Sequence, residues 1–113
     1  MNIPQLLQEK DFCEALKLPE ALFYKHSPMC WSSSVASRHV ARFAADHPNC
    51  PVFFVDVVAN RSLSQFMAAE LDVRHESPQV IATQNGSPVW HASHYRITRG
   101  SLKKNLLSRK AAS

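Results

Sequence analysis

Phe23-Tyr24-Lys25-His26-Ser27-Pro28-Met29-Cys30-Trp31-Ser32-Ser33 is the stretch in which the chain changes its local rule. The run that enters it, Ala21-Leu22-Phe23-Tyr24, is apolar and aromatic, with the character of a brief buried strand that stops at Lys25-His26-Ser27-Pro28. Beyond the turn, Val35, Ala36, Val40, Phe43 and Ala44 share one helical face while Arg38, Arg42 and Asp46 lie elsewhere, which predicts a helix from Cys30 to about Asp46. Cys30 therefore falls at a strand-to-helix junction. The unpaired N–H groups and dipole of a helix start favour an anion, so a thiol there is a stronger acid and a nucleophile. Lys25 and His26 just upstream are expected to add positive charge. The competing reading, a buried cysteine acting as a small hydrophobe, fits a helix start poorly.

Working outward, Leu6 and Leu7 lead into Phe12, Cys13 and Leu16 at three- and four-residue spacing. This predicts a short amphipathic helix from about Gln8 to Lys17, with Glu9 and Asp11 at its front and Pro19 closing it. On the other side, His47-Pro48-Asn49 stops the long helix, and Pro51 to Val58 is the most continuous apolar run, expected to be the central strand. Asn60-Arg61-Ser62 opens a further helix bearing Leu63, Phe66, Met67 and Leu71, with Ser62 as its N-cap, and Arg74 to Pro78 is a loop. Gln79 to Thr83 and Pro88 to Ala92 read as a hairpin around Gln84-Asn85-Gly86-Ser87, since Asn-Gly supplies the positive φ angles of a tight turn. Thr98 can cap a last helix bearing Leu102, Leu106 and Leu107. After an N-terminal helix extension the order is β-α-β then β-β-α. That order predicts an α/β fold with a mixed four-stranded sheet flanked by helices.

A chain of 113 residues has room for one core, so residues 1–113 are expected to form one domain. With 45% apolar residues, 19% charged residues and two glycines, disordered and collagen-like classes are excluded. Three cysteines cannot all pair within one chain, and no charged start precedes a long apolar run. These features predict a cytoplasmic protein with no membrane span. The net charge of +4 is unevenly spread: residues 1–76 carry all nine acidic and seven basic residues, residues 77–113 six basic and no acidic ones. Arg96, Arg99, Lys103, Lys104, Arg109 and Lys110 would attract an anionic partner, or form a solvated helix face and tail. Nucleic acid is not the expected partner, because no aromatic residues interleave these charges.

Cys30-Trp31-Ser32-Ser33 is a C-x-x-S version of a C-x-x-C dithiol. Ser33 can offer a hydroxyl to the Cys30 sulfur but cannot displace a disulfide, so the chemistry should be monothiol exchange through a mixed disulfide. With Cys30 at the first core strand-to-helix junction and Pro78 just ahead of the hairpin, the chain resembles the thioredoxin superfamily, in which a cis-proline faces the active-site sulfur. Residues 23–33, Val73-Arg74-His75-Glu76-Ser77-Pro78-Gln79-Val80-Ile81 and Val89-Trp90-His91-Ala92-Ser93-His94 resemble the monothiol bacilliredoxin (YtxJ-like) family more closely, in order and spacing from about Leu6 to Leu107.

That resemblance implies a redox-active enzyme of the stress response that removes bacillithiol, a low-molecular-weight thiol, from thiolated client proteins. Cys30 would attack the mixed disulfide, carry the small thiol, and be regenerated by a second thiol. The small thiol is thus a co-substrate, and no cofactor is held tightly. The backbone of Ser77 would pair with the substrate, and His75 and Glu76 would line the approach. His26 and Trp31 border the same cleft, and Trp31 stands where the family usually has proline, which would narrow the cleft or supply a stacking surface.

Other residues have blander readings. Cys13, on the apolar helix face, and Cys50, at a strand entrance, are expected to pack, with a resolving role as the alternative. Glu76 would repel anions unless it pairs with Arg74 or Lys25. His91 and His94 suggest a metal, but at period two they point to opposite sheet faces, and hydrogen bonding or shaping of the cleft rim is expected instead. Two further functions compete: a [2Fe-2S] cluster shared between subunits, and a non-catalytic binding module using its basic C-terminal helix.

Overall fold

A computed structural model describes residues 2–107. Its elements are α1 (Glu9–Leu16), β1 (Glu20–His26), α2 (Trp31–Asp46), β2 (Val52–Asp56), α3 (Arg61–Leu71), β3 (Gln79–Gln84) and β4 (Ser87–Ser93). A 3-10 turn (His94–Arg96) and α4 (Arg99–Leu102) follow, and the chain continues as a π-helical turn, Lys103–Leu107. Arg109 and Lys110, part of the basic C-terminal patch, lie outside the described residues. No described helix is long and apolar enough to cross a membrane.

The four strands form one mixed sheet in the order β2-β1-β3-β4, with β1 parallel to β2 and antiparallel to β3, and β4 antiparallel to β3. The expected central strand is therefore an edge. The short run beginning at Ala21 takes the interior position, with every residue from Ala21 to Lys25 buried. It also extends past Tyr24, because Lys25 pairs with Val55 and Gln79, and His26 with Asp56. The apolar run of β2 tolerates the edge because the N-terminal segment covers it: Phe54 N–H donates to the Pro4 carbonyl at 3.0 Å, and Leu6 N–H to the Phe54 carbonyl at 2.8 Å.

Alternation along β1 divides the core in two. Leu22 and Tyr24 face α2 and α4, packing with Val40, Phe43, Ile97 and Leu102. Ala21 and Phe23 face α1 and α3, packing with Phe12, Leu63, Met67 and Leu71. Phe12 meets Phe23 edge-on at 5.1 Å between centroids, which fixes α1 against the sheet. Phe12 and Ala15 form the buried stripe of α1, so Cys13 is exposed rather than packed, whereas Cys50 is buried as expected.

The hairpin turn is two residues long, with φ of 51° at Asn85 and 81° at Gly86, the left-handed pair that Asn-Gly favours. A Cβ at position 86 would also come within 3.2 Å of the Leu16 carbonyl. Asn60, not Ser62, is the N-cap of α3. Thr98 caps α4 as expected, its hydroxyl accepting from the Ser101 N–H at 3.0 Å.

Candidate active site

Cys30 is the N-cap residue of α2, with extended backbone (φ −104°, ψ 128°) where β1 has ended and the helix begins. Its Sγ lies 3.1 Å from Ser32 Oγ. The thiol is held below its ordinary pKa by the Ser32 hydroxyl first and the Ser33 N–H second; partial desolvation opposes them, and the Ser32 N–H and Ser33 hydroxyl add less. The Ser32 hydroxyl contact and the position at a helix start thus both favour the thiolate. The C-x-x-S pattern pointed to Ser33, whose hydroxyl contributes least, while the larger hydroxyl contribution comes from Ser32. Ser33 Oγ also accepts from the Ser27 N–H at 3.1 Å and closes the turn.

Beneath the turn, Tyr24 Oη donates to the Ser33 carbonyl at 3.2 Å and lies 2.9 Å from His26 Nδ1. One phenolic proton serves one acceptor, so Nδ1–H of His26 donates to Tyr24. Burial lowers the pKa of His26, and Asp56 opposes that shift. Burial also pushes the Tyr24 phenol well above its usual range, so it stays a neutral donor under the helix start. His26 supports this layer rather than supplying charge to the sulfur. Lys25, one residue along the strand, points to the opposite sheet face. Its ammonium donates to the Ser64 carbonyl and to His75 Nδ1, each at 3.1 Å, and burial lowers its pKa to about 8.

The loop before β3 and the end of β4 approach the start of α2 through His94. The Ser77–Pro78 peptide is cis, and Pro78 is buried. His94 N–H donates to the Pro78 carbonyl at 3.0 Å, with His94 in the left-handed region (φ 53°) as the chain leaves β4. The ring of His94 turns toward α2, its Nδ1 3.4 Å from Ser32 Oγ. Glu76 is held ionised by the Ser93 hydroxyl first, with the charges of His94, Arg74 and Arg96 contributing. Of the two expected partners Arg74 contributes, and Lys25 is engaged across the sheet. His75 faces Lys25 and Ser64, and burial is the main cause of its lowered pKa, ahead of the charges of Lys25 and Arg61.

Trp31 (74% exposed) and Met29 (86% exposed) flank Cys30 as an apolar rim. Arg99 is drawn away from the cleft to Asp46 at 2.9 Å. His91 is exposed on β4, while His94 has left the strand, so the two do not share a ligand geometry. Among the described residues, no three His, Cys, Asp or Glu side chains converge on a metal position. Sequence reasoning missed Ser32, Tyr24 and Ser93. The one local signal for Ser32 was its place two residues beyond Cys30 in the first helical turn; contacts between β4 and α2 have no such local signature.

A cysteine at the N-terminus of a helix, with a cis-proline just ahead of β3 in a four-stranded mixed sheet, is the arrangement of a thioredoxin-fold thiol redox protein. Residues 2–102 match the profile of the monothiol bacilliredoxin BrxC family, and the chain belongs to it. Among solved structures it is similar to a proposed oxidoreductase with a thioredoxin fold, at 27% identity and TM-score 0.85 over 91% of this chain and 92% of the other. Thioredoxin from Trypanosoma brucei brucei has TM-score 0.81 at 14% identity, covering 97% and 92% of the two chains. Mitochondrial thioredoxin 3 from Saccharomyces cerevisiae has TM-score 0.75 at 12% identity, covering 94% of each. These last two likenesses show the fold alone.

Proposed function

We propose that this protein is a monothiol thiol-disulfide oxidoreductase that removes a low-molecular-weight thiol of the bacillithiol kind from mixed disulfides on client proteins. The observation that carries the reading is Cys30 at the α2 N-cap, its sulfur 3.1 Å from Ser32 Oγ, with serine where a dithiol enzyme has its second sulfur. The Cys30 thiolate attacks the small-thiol sulfur of the client disulfide. A Cys30–S–S–R bond forms, the client S–S bond breaks, and the client sulfur leaves with the electron pair as a thiolate.

Regeneration needs a second thiol. Cys50 follows the far end of the 16-residue α2, about 24 Å of helix away from Cys30, and Cys13 is on α1 across the sheet. Neither fits the roughly 4.4–6.8 Å Cα separation of a disulfide. A thiolate from outside attacks the small-thiol sulfur, releases Cys30 as a thiolate and leaves as a small-molecule disulfide. The small thiol is a co-substrate in a reducing compartment such as the cytoplasm. The N–H and carbonyl of Ser77 have no partner among the described residues, which suits them to pair with the client backbone.

The test is intact mass after incubation with a bacillithiolated client, beside a glutathionylated one. The wild type should gain one small-thiol adduct at Cys30 and release a reduced client, and Cys30→Ser should gain none. An adduct that persists in Cys30→Ser would overturn the reading.

A further inference from the structure

Cys30 Sγ, Ser32 Oγ and His94 Nδ1 form a hydrogen-bonded series, 3.1 Å for the first link and 3.4 Å for the second. We propose that His94 is a positioning residue for the Cys30 thiolate, its Nδ1–H donating to Ser32 Oγ and thereby committing the single Ser32 hydroxyl proton to the sulfur. The inference rests on the thiol-exchange reading above and deepens it.

A serine hydroxyl has one proton to give and can accept from others. When His94 Nδ1 lacks a proton it accepts from Ser32, and the sulfur must then donate S–H to Ser32 Oγ, which is the thiol state. With a proton on Nδ1 the series reverses: Nδ1–H to Oγ, and Oγ–H to the sulfur anion. The imidazole thus selects the state of the nucleophile two bonds away. Without it, a serine in the first helical turn is free to turn its hydroxyl to water or to backbone.

The fold holds His94 in place for this task. A non-glycine residue at φ 53° is uncommon, and here its N–H is tied to the Pro78 carbonyl, so the cis-proline loop aims the ring at α2. Ser32 is buried while His94 is exposed, so the far ring nitrogen can exchange protons with water. Of the charged groups around the ring, Glu76 from the loop before β3 interacts with His94 directly, Arg74 and Arg96 act on that same carboxylate, and Cys30 is reached through Ser32. The 3.4 Å link is long, as such bonds commonly are before substrate binds.

The same series serves both half-reactions. In the first, Ser32 stabilises the attacking thiolate. In the second, the incoming thiol breaks the Cys30–S–S–R bond, Cys30 Sγ leaves with the electron pair, and the Ser32 proton already points at it.

The test is the rate of alkylation of Cys30 by neutral iodoacetamide against pH, read by peptide mass spectrometry on the full chain. Wild type is compared with Ser32→Ala, His94→Ala, His94→Asn and the Ser32→Ala/His94→Ala double variant. His94→Ala should move the midpoint up by about one pH unit, or about tenfold less thiolate below the midpoint. The double variant should move no further than Ser32→Ala alone. His94→Asn keeps a side-chain N–H near Nδ1 and tolerates the left-handed backbone, so it should restore most of the midpoint. An unchanged midpoint in His94→Ala, or a full shift from His94 in the Ser32→Ala background, would overturn the proposal. Alkylation needs neither client nor small thiol, so an exchange assay that fails beside a normal alkylation profile counts against the proposed function and not against this series.

Discussion

Lys25 Nζ lies 3.1 Å from His75 Nδ1, fully buried between β1 and α3, and among the described residues no carboxylate pairs with it. The ammonium donates to Nδ1, so the proton of a neutral His75 sits on its other ring nitrogen. A cation is thus buried at a cost, on the sheet face opposite the candidate nucleophile.

That cost has a pH signature. Lys25 has its pKa lowered to about 8 from 10.5, so between these values the unfolded chain binds more protons than the folded one. Stability should therefore rise as pH increases from about 8 toward 10.5, by an amount on the order of 3 kcal/mol. Lys25→Met removes the buried charge and should be more stable than wild type at pH 7 by about 1–3 kcal/mol. Urea unfolding at pH 7 and pH 10 checks both statements; a wild type whose stability falls over that interval would contradict the first.

Ser33→Ala should act on the turn more than on the sulfur. Its hydroxyl is fully buried and accepts from the Ser27 N–H, so the variant should lose about 1–2 kcal/mol of stability. The pH midpoint of Cys30 alkylation should shift less than in Ser32→Ala. Denaturant midpoints and alkylation profiles measured on the same samples separate the two effects.

The three cysteines should differ in order of labelling under native conditions at pH 7: Cys30 first, Cys13 more slowly, Cys50 last. Cys30 has the lowered pKa, Cys13 is exposed, and Cys50 is buried. Peptide mass spectrometry over a time course reads the order, and Cys50 should label readily once denaturant is added.

Trp31→Ala should weaken exchange with a protein client by about three- to tenfold in kcat/KM while changing a small disulfide substrate less. An exposed tryptophan beside the sulfur offers contact area of the kind that dominates protein interfaces. Thermal unfolding should move little, because the side chain is 74% exposed and supports no core. Equal losses on both substrates would assign Trp31 to the chemistry instead.

The order of elements, the two-residue Asn85-Gly86 turn, the Thr98 cap and the placement of Cys30 at a helix start were legible from local pattern alone. Each depends on neighbours in sequence: alternation, helical spacing, and the φ angles that Asn and Gly tolerate. Family membership, too, followed from contiguous motifs. Strand rank did not, because Pro51 to Val58 has the longer apolar run and yet lies at the edge, where residues 4–6 cover it. Which partner covers an edge is a long-range matter that no window of sequence contains. The surroundings of the thiol divide in the same way. Cys30 at the N-terminus of α2 could be read directly, but Lys25 turning to Ser64 and His75, and His94 reaching Ser32 across 62 positions, arise only when β1, α3 and β4 are packed together. Local sequence determined where an anion is welcome, and tertiary packing decided which hydroxyl and imidazole stand beside it.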